Sequence, residues 1–361
     1  MGKIAGIWGR VQQVLVHVEE CLPPLTEQHR RVMLMLEVVR IEEQVRPGCW
    51  QWLGRRRADR RALARAFVVK ACLNLPTTKR LIERLRVDRG LRQICGWEQG
   101  RQVPSEATFS RAFAEFAAMG VLDRVHADRV KGYLGEEVVW HVARDSTEIE
   151  AREKPQSKPK AARPKFRPGR PKKGEVRPAK PVKRLERQYT QGAEEAIAEL
   201  PTACDVGMKK NAKGHSQRWV GYKFHVDVGD GGIPLAAVTT SASVHDSQVA
   251  IPLMKLTAAR VRSWYELMDS AYHAALIHRV SKGLGHVPII EANRRWGEPA
   301  EMEPDRARRY AKRTQSERFN SRLKDDRGGR FVRVRGHPKV HAHLMFGLLV
   351  IFAEALLRLI V

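Results

Sequence analysis

The chain has 361 residues and carries 66 Lys and Arg against 40 Asp and Glu, a formal charge of +26. With 43% hydrophobic residues it has enough apolar material for a packed core, which excludes wholesale disorder. The length predicts roughly two domains, and so basic a charge selects a polyanion, nucleic acid above all, as partner.

In chain order, residues 1–135 read as an all-α N-terminal domain, either a DNA-binding module or a helical bundle that packs on the rest of the chain. Arg61 to Leu73 is rich in Ala, Leu and Val at helical spacing. Asn74-Leu75-Pro76 then breaks the chain, and Thr77 is placed to cap the next helix, whose apolar stripe is Leu81, Ile82 and Leu85. Pro104-Ser105 opens a further helix with Phe109, Phe113 and Phe116 at i, i+4 and i+7, a core stripe. The cysteines Cys21, Cys49, Cys72, Cys95 and Cys204 are scattered, with no C-x-x-C pair and no zinc spacing. They predict reduced thiols in a cytoplasmic protein. No charged-then-apolar leader is legible at the start.

Residues 136–150 and 215–361 read as an α/β domain, a mixed five-stranded sheet flanked by helices. Val138 to Ala143 is a β-branched run ending in Arg144-Asp145-Ser146-Thr147. Arg218 to Val228 and Ile233 to Thr240 are strand-like runs joined by Gly229-Asp230-Gly231-Gly232, a hairpin signal. A helix over 245–258, a strand over 264–268 leading into Asp269, a helix over 271–281, a strand over 287–290 and a long charged helix over 305–324 follow. The segment Leu344 to Val361 is strongly apolar but includes Glu354 and Arg358. It lacks the ~20 uninterrupted apolar residues of a membrane span and reads as a buried helix.

Between these parts, 151–214 reads as a basic, proline-rich flexible insertion. From Ala151 to Arg187 it holds 15 Lys and Arg, 3 Glu and seven prolines, a net +12. Proline removes hydrogen-bond donors and like charges repel, which favours an extended chain. Its stretch Arg167-Pro168-Gly169-Arg170-Pro171-Lys172-Lys173 resembles the Gly-Arg-Pro core of the AT-hook. Two roles on DNA follow for Arg167, Arg170, Lys172 and Lys173: a counter-ion to phosphate, or an A·T-selective minor-groove arm.

Asp145 and Asp269 each follow a predicted strand, so strand pairing could bring them side by side. Glu317 lies in the charged helix, and on a helical wheel Tyr310, Arg313, Glu317 and Lys324 share one face within about 60°. Carboxylates are the ligands Mg²⁺ takes, and two such ions can stabilise both oxygens of a phosphoryl displacement. Asp246 or Ser247 reads as an N-cap, and His273 as a helix residue near the second acid.

The spacing Tyr310-x2-Arg313-x3-Glu317-x6-Lys324 resembles the Tyr-Arg-Glu-Lys signature of bacterial insertion-sequence DDE transposases. The segments around Asp145 and Asp269, Gly221-Tyr222-Lys223-Phe224-His225, and Val244-His245-Asp246-Ser247 are similar to the same group, as is the helical stretch from residue 60. The resemblance implies an RNase H-like, retroviral-integrase-like core. It makes Asp145, Asp269 and Glu317 the metal-binding catalytic triad for Mg²⁺, with Mn²⁺ as a substitute. Tyr310, Arg313 and Lys324 would contact DNA near the scissile phosphate. It further implies double-stranded DNA as partner, both element ends and target, a homodimer on DNA, no membrane, and a nucleoid-associated cytoplasmic location. The 48-residue interval from Asp269 to Glu317 leaves no room for the β-rich insertion some members carry. The competing readings are a DNA-binding protein and an RNase H-like nuclease without strand transfer.

Overall fold

The computed structural model describes residues 25–45, 57–156, 182–210, 214–292 and 301–359. Arg167, Arg170, Lys172 and Lys173 lie outside the described residues. The N-terminal region is helical: α1 (Glu27–Val39), α2 (Arg60–Cys72), α3 (Thr78–Val87), α4 (Arg89–Cys95), α5 (Glu106–Ala118) and α6 (Val121–Leu134). Thr77 caps α3 as expected, its hydroxyl accepting the Arg80 N–H at 3.2 Å. The phenylalanine stripe is core. Phe67 of α2 lies 5.6 Å from Phe109 and 5.2 Å from Phe113, ring centre to ring centre.

Strand β1 (Val138–Glu150) leads into the sheet. It is followed by α7 (Arg184–Thr190), α8 (Ala193–Ala198), β2 (Asp205–Lys210), β3 (Ser216–Gly229), β4 (Ile233–Ser241) and α9 (Ser247–Ala258). Then come β5 (Arg262–Met268), α10 (Ala275–Gly283), β6 (Val287–Ile290), α11 (Pro304–Tyr310), α12 (Thr314–Asp326) and α13 (His337–Leu357). The strands run β2-β3-β1-β5-β6, with β4 also paired to β3. Strand β3 is antiparallel to both β1 and β4, whereas β1, β5 and β6 are parallel. This is an RNase H-like mixed sheet with helices packed on it.

The sheet has six strands rather than the five expected. The extra one, β2, comes from the end of the predicted flexible insertion. Its six residues pair antiparallel with the first half of β3, from Asp205 opposite Gly221 to Lys210 opposite Ser216. Gly207 permits the pairing, because a Cβ there would sit 2.2 Å from the Trp219 indole. The helix expected over 305–324 is also interrupted. A 3₁₀ turn over Ala311–Arg313 separates α11 from α12.

One apolar core runs from the N-terminal helices to the sheet. Its axis is α13, which reaches α2 through Phe346, 5.5 Å from Phe67. By length and composition α13 could cross a membrane, but 89% of its apolar window is buried in this fold. Glu354 near its end is held by Arg31 of α1, by Arg322 of α12 and by Arg327 just beyond α12. The three ion pairs tie α13 to the N-terminal region and to the helix that carries Glu317.

Candidate active site

The parallel register of β1 and β5 positions the two aspartates. Val138 faces Arg262 and Ala143 faces Leu267. Carried two residues further, the same register sets Asp145 level with Asp269. Contrary to the expectation of a strand end, Asp145 lies within β1, which continues along β3 with Asp145 opposite Val226. The strand that ends is β5, and that opens the edge of β1 beside Asp145. Asp269 caps a short 3₁₀ turn, its carboxylate accepting the Ala271 N–H at 3.0 Å.

Both carboxyls are raised, chiefly by burial. Burial, and then the charges of Asp269 and Asp246, push Asp145 up to about 7 against the opposing Ser146 N–H and Arg313. Burial likewise raises Asp269, with Asp246 and Glu291 adding to it. Asn320 of α12 donates to Oδ2 of Asp145 at 3.0 Å, which fixes that side chain's orientation. Tyr272 is fully buried near these acids, and its hydroxyl has no hydrogen-bond partner among the described residues.

Glu317 stands apart. Its side chain is 52% exposed, and one oxygen accepts from Arg313 at 2.6 Å. Among the described residues no group of three His, Cys, Asp or Glu side chains is placed to hold a metal ion. The interrupted helix nevertheless keeps Arg313 between the acids. Burial works against its charge, but Tyr310, Asp145, Glu317 and Asp269 outweigh that and hold the guanidinium more firmly protonated.

The other two residues of the face also have acidic partners. The Tyr310 hydroxyl donates to Glu291 at 3.2 Å. Lys324 donates to Glu148 at 2.6 Å, and the other oxygen of Glu148 accepts from Lys209 of β2 at 2.6 Å. Burial alone would raise Glu148, but these two lysines bring it down to about 2. The insertion strand is thereby tied to the site through one carboxylate.

Asp246 occupies the N-cap position of α9, as expected, but its side chain makes no capping bond. It accepts instead from the Ser146 hydroxyl at 2.9 Å and from Lys223 Nζ at 3.0 Å. His225, fully buried and lowered by that burial to about 4, lies 3.9 Å away. His273 precedes α10 rather than lying in it, its ring 5.5 Å from His278.

The donor set suits a hard cation. Two half-buried carboxylates at one level, both raised, are what a divalent ion would relieve. The sheet order and this pair of strand-borne acids define the RNase H-like class. Residues 139–353 match the family model described as Transposase DDE domain, and residues 18–115 match Transposase domain (DUF772). Neither a curated protein nor a solved structure matches the chain. The first match covers more than half of the chain, and the chain belongs to the DDE transposases of insertion sequences. Membership carries with it DNA as the general partner, nuclease and transposition chemistry as the general activity, and divalent metal as the usual cofactor.

Proposed function

We propose that this chain cuts DNA strands at the ends of an insertion element and joins the freed 3′-OH to target DNA, acting as a homodimer in the cytoplasm. The observation that carries the reading is the level, half-buried pair Asp145 and Asp269, both raised and both within the field of Arg313. Asp145, Asp269 and Glu317 are the residues that would hold Mg²⁺, or Mn²⁺ in its place. A cation bound there would supply positive charge to the scissile phosphate and to the attacking oxygen.

The protein's own residues do the rest. Asn320 holds one oxygen of Asp145 and orients the carboxyl. Arg313, now shared among three acids, is positioned to neutralise a phosphate oxygen once Glu317 is engaged elsewhere. Lys324 and Tyr310, held by Glu148 and Glu291, position the backbone on either side of the cut. Water attacks the phosphodiester at the element end and releases its 3′-OH; that 3′-OH then attacks a target phosphodiester in line and displaces the target strand's 3′-OH. Neither displacement needs a covalent enzyme intermediate, so position and charge are the whole contribution. The helical N-terminal domain and the basic segment around Arg167, Arg170, Lys172 and Lys173 would supply sequence-independent grip on DNA.

The test is one incubation of purified protein, Mg²⁺ and labelled DNA flanking the gene, with Asp145→Ala, Asp269→Ala and Glu317→Ala alongside. The parent should release cut ends and then joined products. Each variant should lose on the order of a thousandfold in rate, about 4 kcal/mol at the transition state. Variants that cut as well as the parent would remove the site assignment, and cut ends without joined strands would remove strand transfer.

A further inference from the structure

We infer that the strap from Arg330 to Arg335, between α12 and α13, is a second DNA-contact surface that carries a strand away from Lys324 and takes a base face on Phe331. The inference rests on the DNA-cutting reading above. The strap is built rigidly at both ends. It leaves α12 through Gly328, whose φ of +74° suits glycine, and Gly329, where a Cβ would lie 2.8 Å from the Leu323 carbonyl oxygen. The Gly329 N–H then donates to the Leu323 carbonyl at 2.9 Å and the Arg330 N–H to the Lys324 carbonyl at 3.2 Å. At the far end the Gly336 N–H donates to Glu153 at 2.8 Å, where the basic insertion leaves β1.

Between these anchors the side chains sort by face. Val332 is buried and Val334 packs on the core. Arg330, Phe331, Arg333 and Arg335 are exposed. Arg330 is paired with Asp325 at 2.5 Å. Arg333 and Arg335 have no ion pair or hydrogen bond among the described residues. Phe331 is 74% exposed, and among the described large hydrophobic residues only Val87 is more so.

A phenyl ring held in water within a basic strap whose Arg333 and Arg335 are unpaired among the described residues forgoes burial that would stabilise the fold. It matches the two components of single-strand recognition, a basic track for the backbone and an aromatic face on which any base can stack. Charge decides the occupant. A second copy of this chain brings another +26 to a face that is already basic, whereas DNA brings the opposite sign. The track is also continuous, since the first residue of the strap bonds the Lys324 carbonyl and its far end bonds Glu153 of the insertion.

The test measures binding of the full chain to a labelled duplex of the flanking DNA over a salt series. A second probe is the same duplex with a few unpaired bases. The double variant Arg333→Gln/Arg335→Gln should lower the log–log salt slope by about two. Phe331→Leu should leave that slope unchanged and weaken binding to the unpaired probe roughly tenfold, with Phe331→Trp restoring it. A double variant with the parent's slope overturns the strap, as does a Phe331→Leu protein that binds the unpaired probe like the parent. Loss of a dimer by Phe331→Leu without DNA also overturns it, in favour of a subunit contact. Cutting by the parent and by Asp145→Asn is followed in the same preparations. Cutting that does not depend on Asp145 sinks the catalytic reading, while the salt slopes still decide the strap.

Discussion

Two charged clusters lie one residue apart on β1. Arg144 points to one face, with its side chain 1% exposed, and pairs with Asp227 at 2.7 Å and Glu266 at 3.4 Å. Thr257 of α9 donates to the same Asp227 oxygen at 2.6 Å. Asp145 points to the other face, level with Asp269, where the cation acting on both is a guanidinium already bonded to Glu317. The first cluster is sealed and carries its own counter-charge, so it ties β1, β3 and β5 together beneath the site. The second is left short of positive charge, which is the condition for binding a cation and a phosphate. Alternation along one strand separates the part that holds the sheet from the part that does chemistry.

The sharpest way to break this contrast is Arg144→Met. It leaves Asp227 and Glu266 buried without their cation and should cost about 3–5 kcal/mol, a large part of an ordinary domain's stability. Urea unfolding followed by circular dichroism measures it. A loss below about 1 kcal/mol would mean that the cluster is not what fixes the strands.

Asp145→Asn should move stability the other way. Because the folded carboxyl is raised to about 7 from an ordinary 3.8, the folded chain binds this proton more tightly than the unfolded chain between those values. Stability therefore falls as pH rises through that window, and the Asn variant escapes the loss. In chelator, the variant should melt higher than the parent at pH 8, by on the order of 2 kcal/mol, and the gap should close near pH 4. Adding Mg²⁺ should raise only the parent. A gap independent of pH would show that Asp145 is not strained.

Much of this architecture was legible in the residues. The glycine turn of the hairpin, the phenylalanine stripe and Asp269 at the end of β5 each follow from local pattern and stand where the pattern puts them, whereas Asp145 lies inside β1. What was not legible depends on distant partners. β2 is six residues of low apolar content, and it forms because β3 offers an edge and Gly207 makes room for Trp219. The break between α11 and α12 has no proline or glycine at the 3₁₀ turn to announce it. Glu317 reads as a third ligand on a helical wheel, but a wheel cannot show that Arg313, four residues earlier, takes one of its oxygens. Asp246 illustrates the same limit most clearly. An aspartate one residue before a helix reads as its cap, whereas Ser146 and Lys223, 100 and 23 residues away, claim its side chain.

That reassignment leads to the smallest effect on the contrast between sealed and open clusters. Asp246 lies behind the open one, holding the hydroxyl next to Asp145 and the ammonium of β3. Asparagine keeps an oxygen that accepts both bonds, and alanine keeps none. If Asp246 acts by position, Asp246→Ala should cut about tenfold more slowly and need more Mg²⁺ for half-maximal rate, because Ser146 and the adjoining Asp145 lose their register. Asp246→Asn should retain most of the parent's rate and Mg²⁺ requirement. A merely structural role would lower the melting temperature of Asp246→Ala and leave the Mg²⁺ requirement of its folded fraction unchanged. If Asn is as slow as Ala, it is the charge of Asp246 that counts, and the open cluster extends to three acids instead of two.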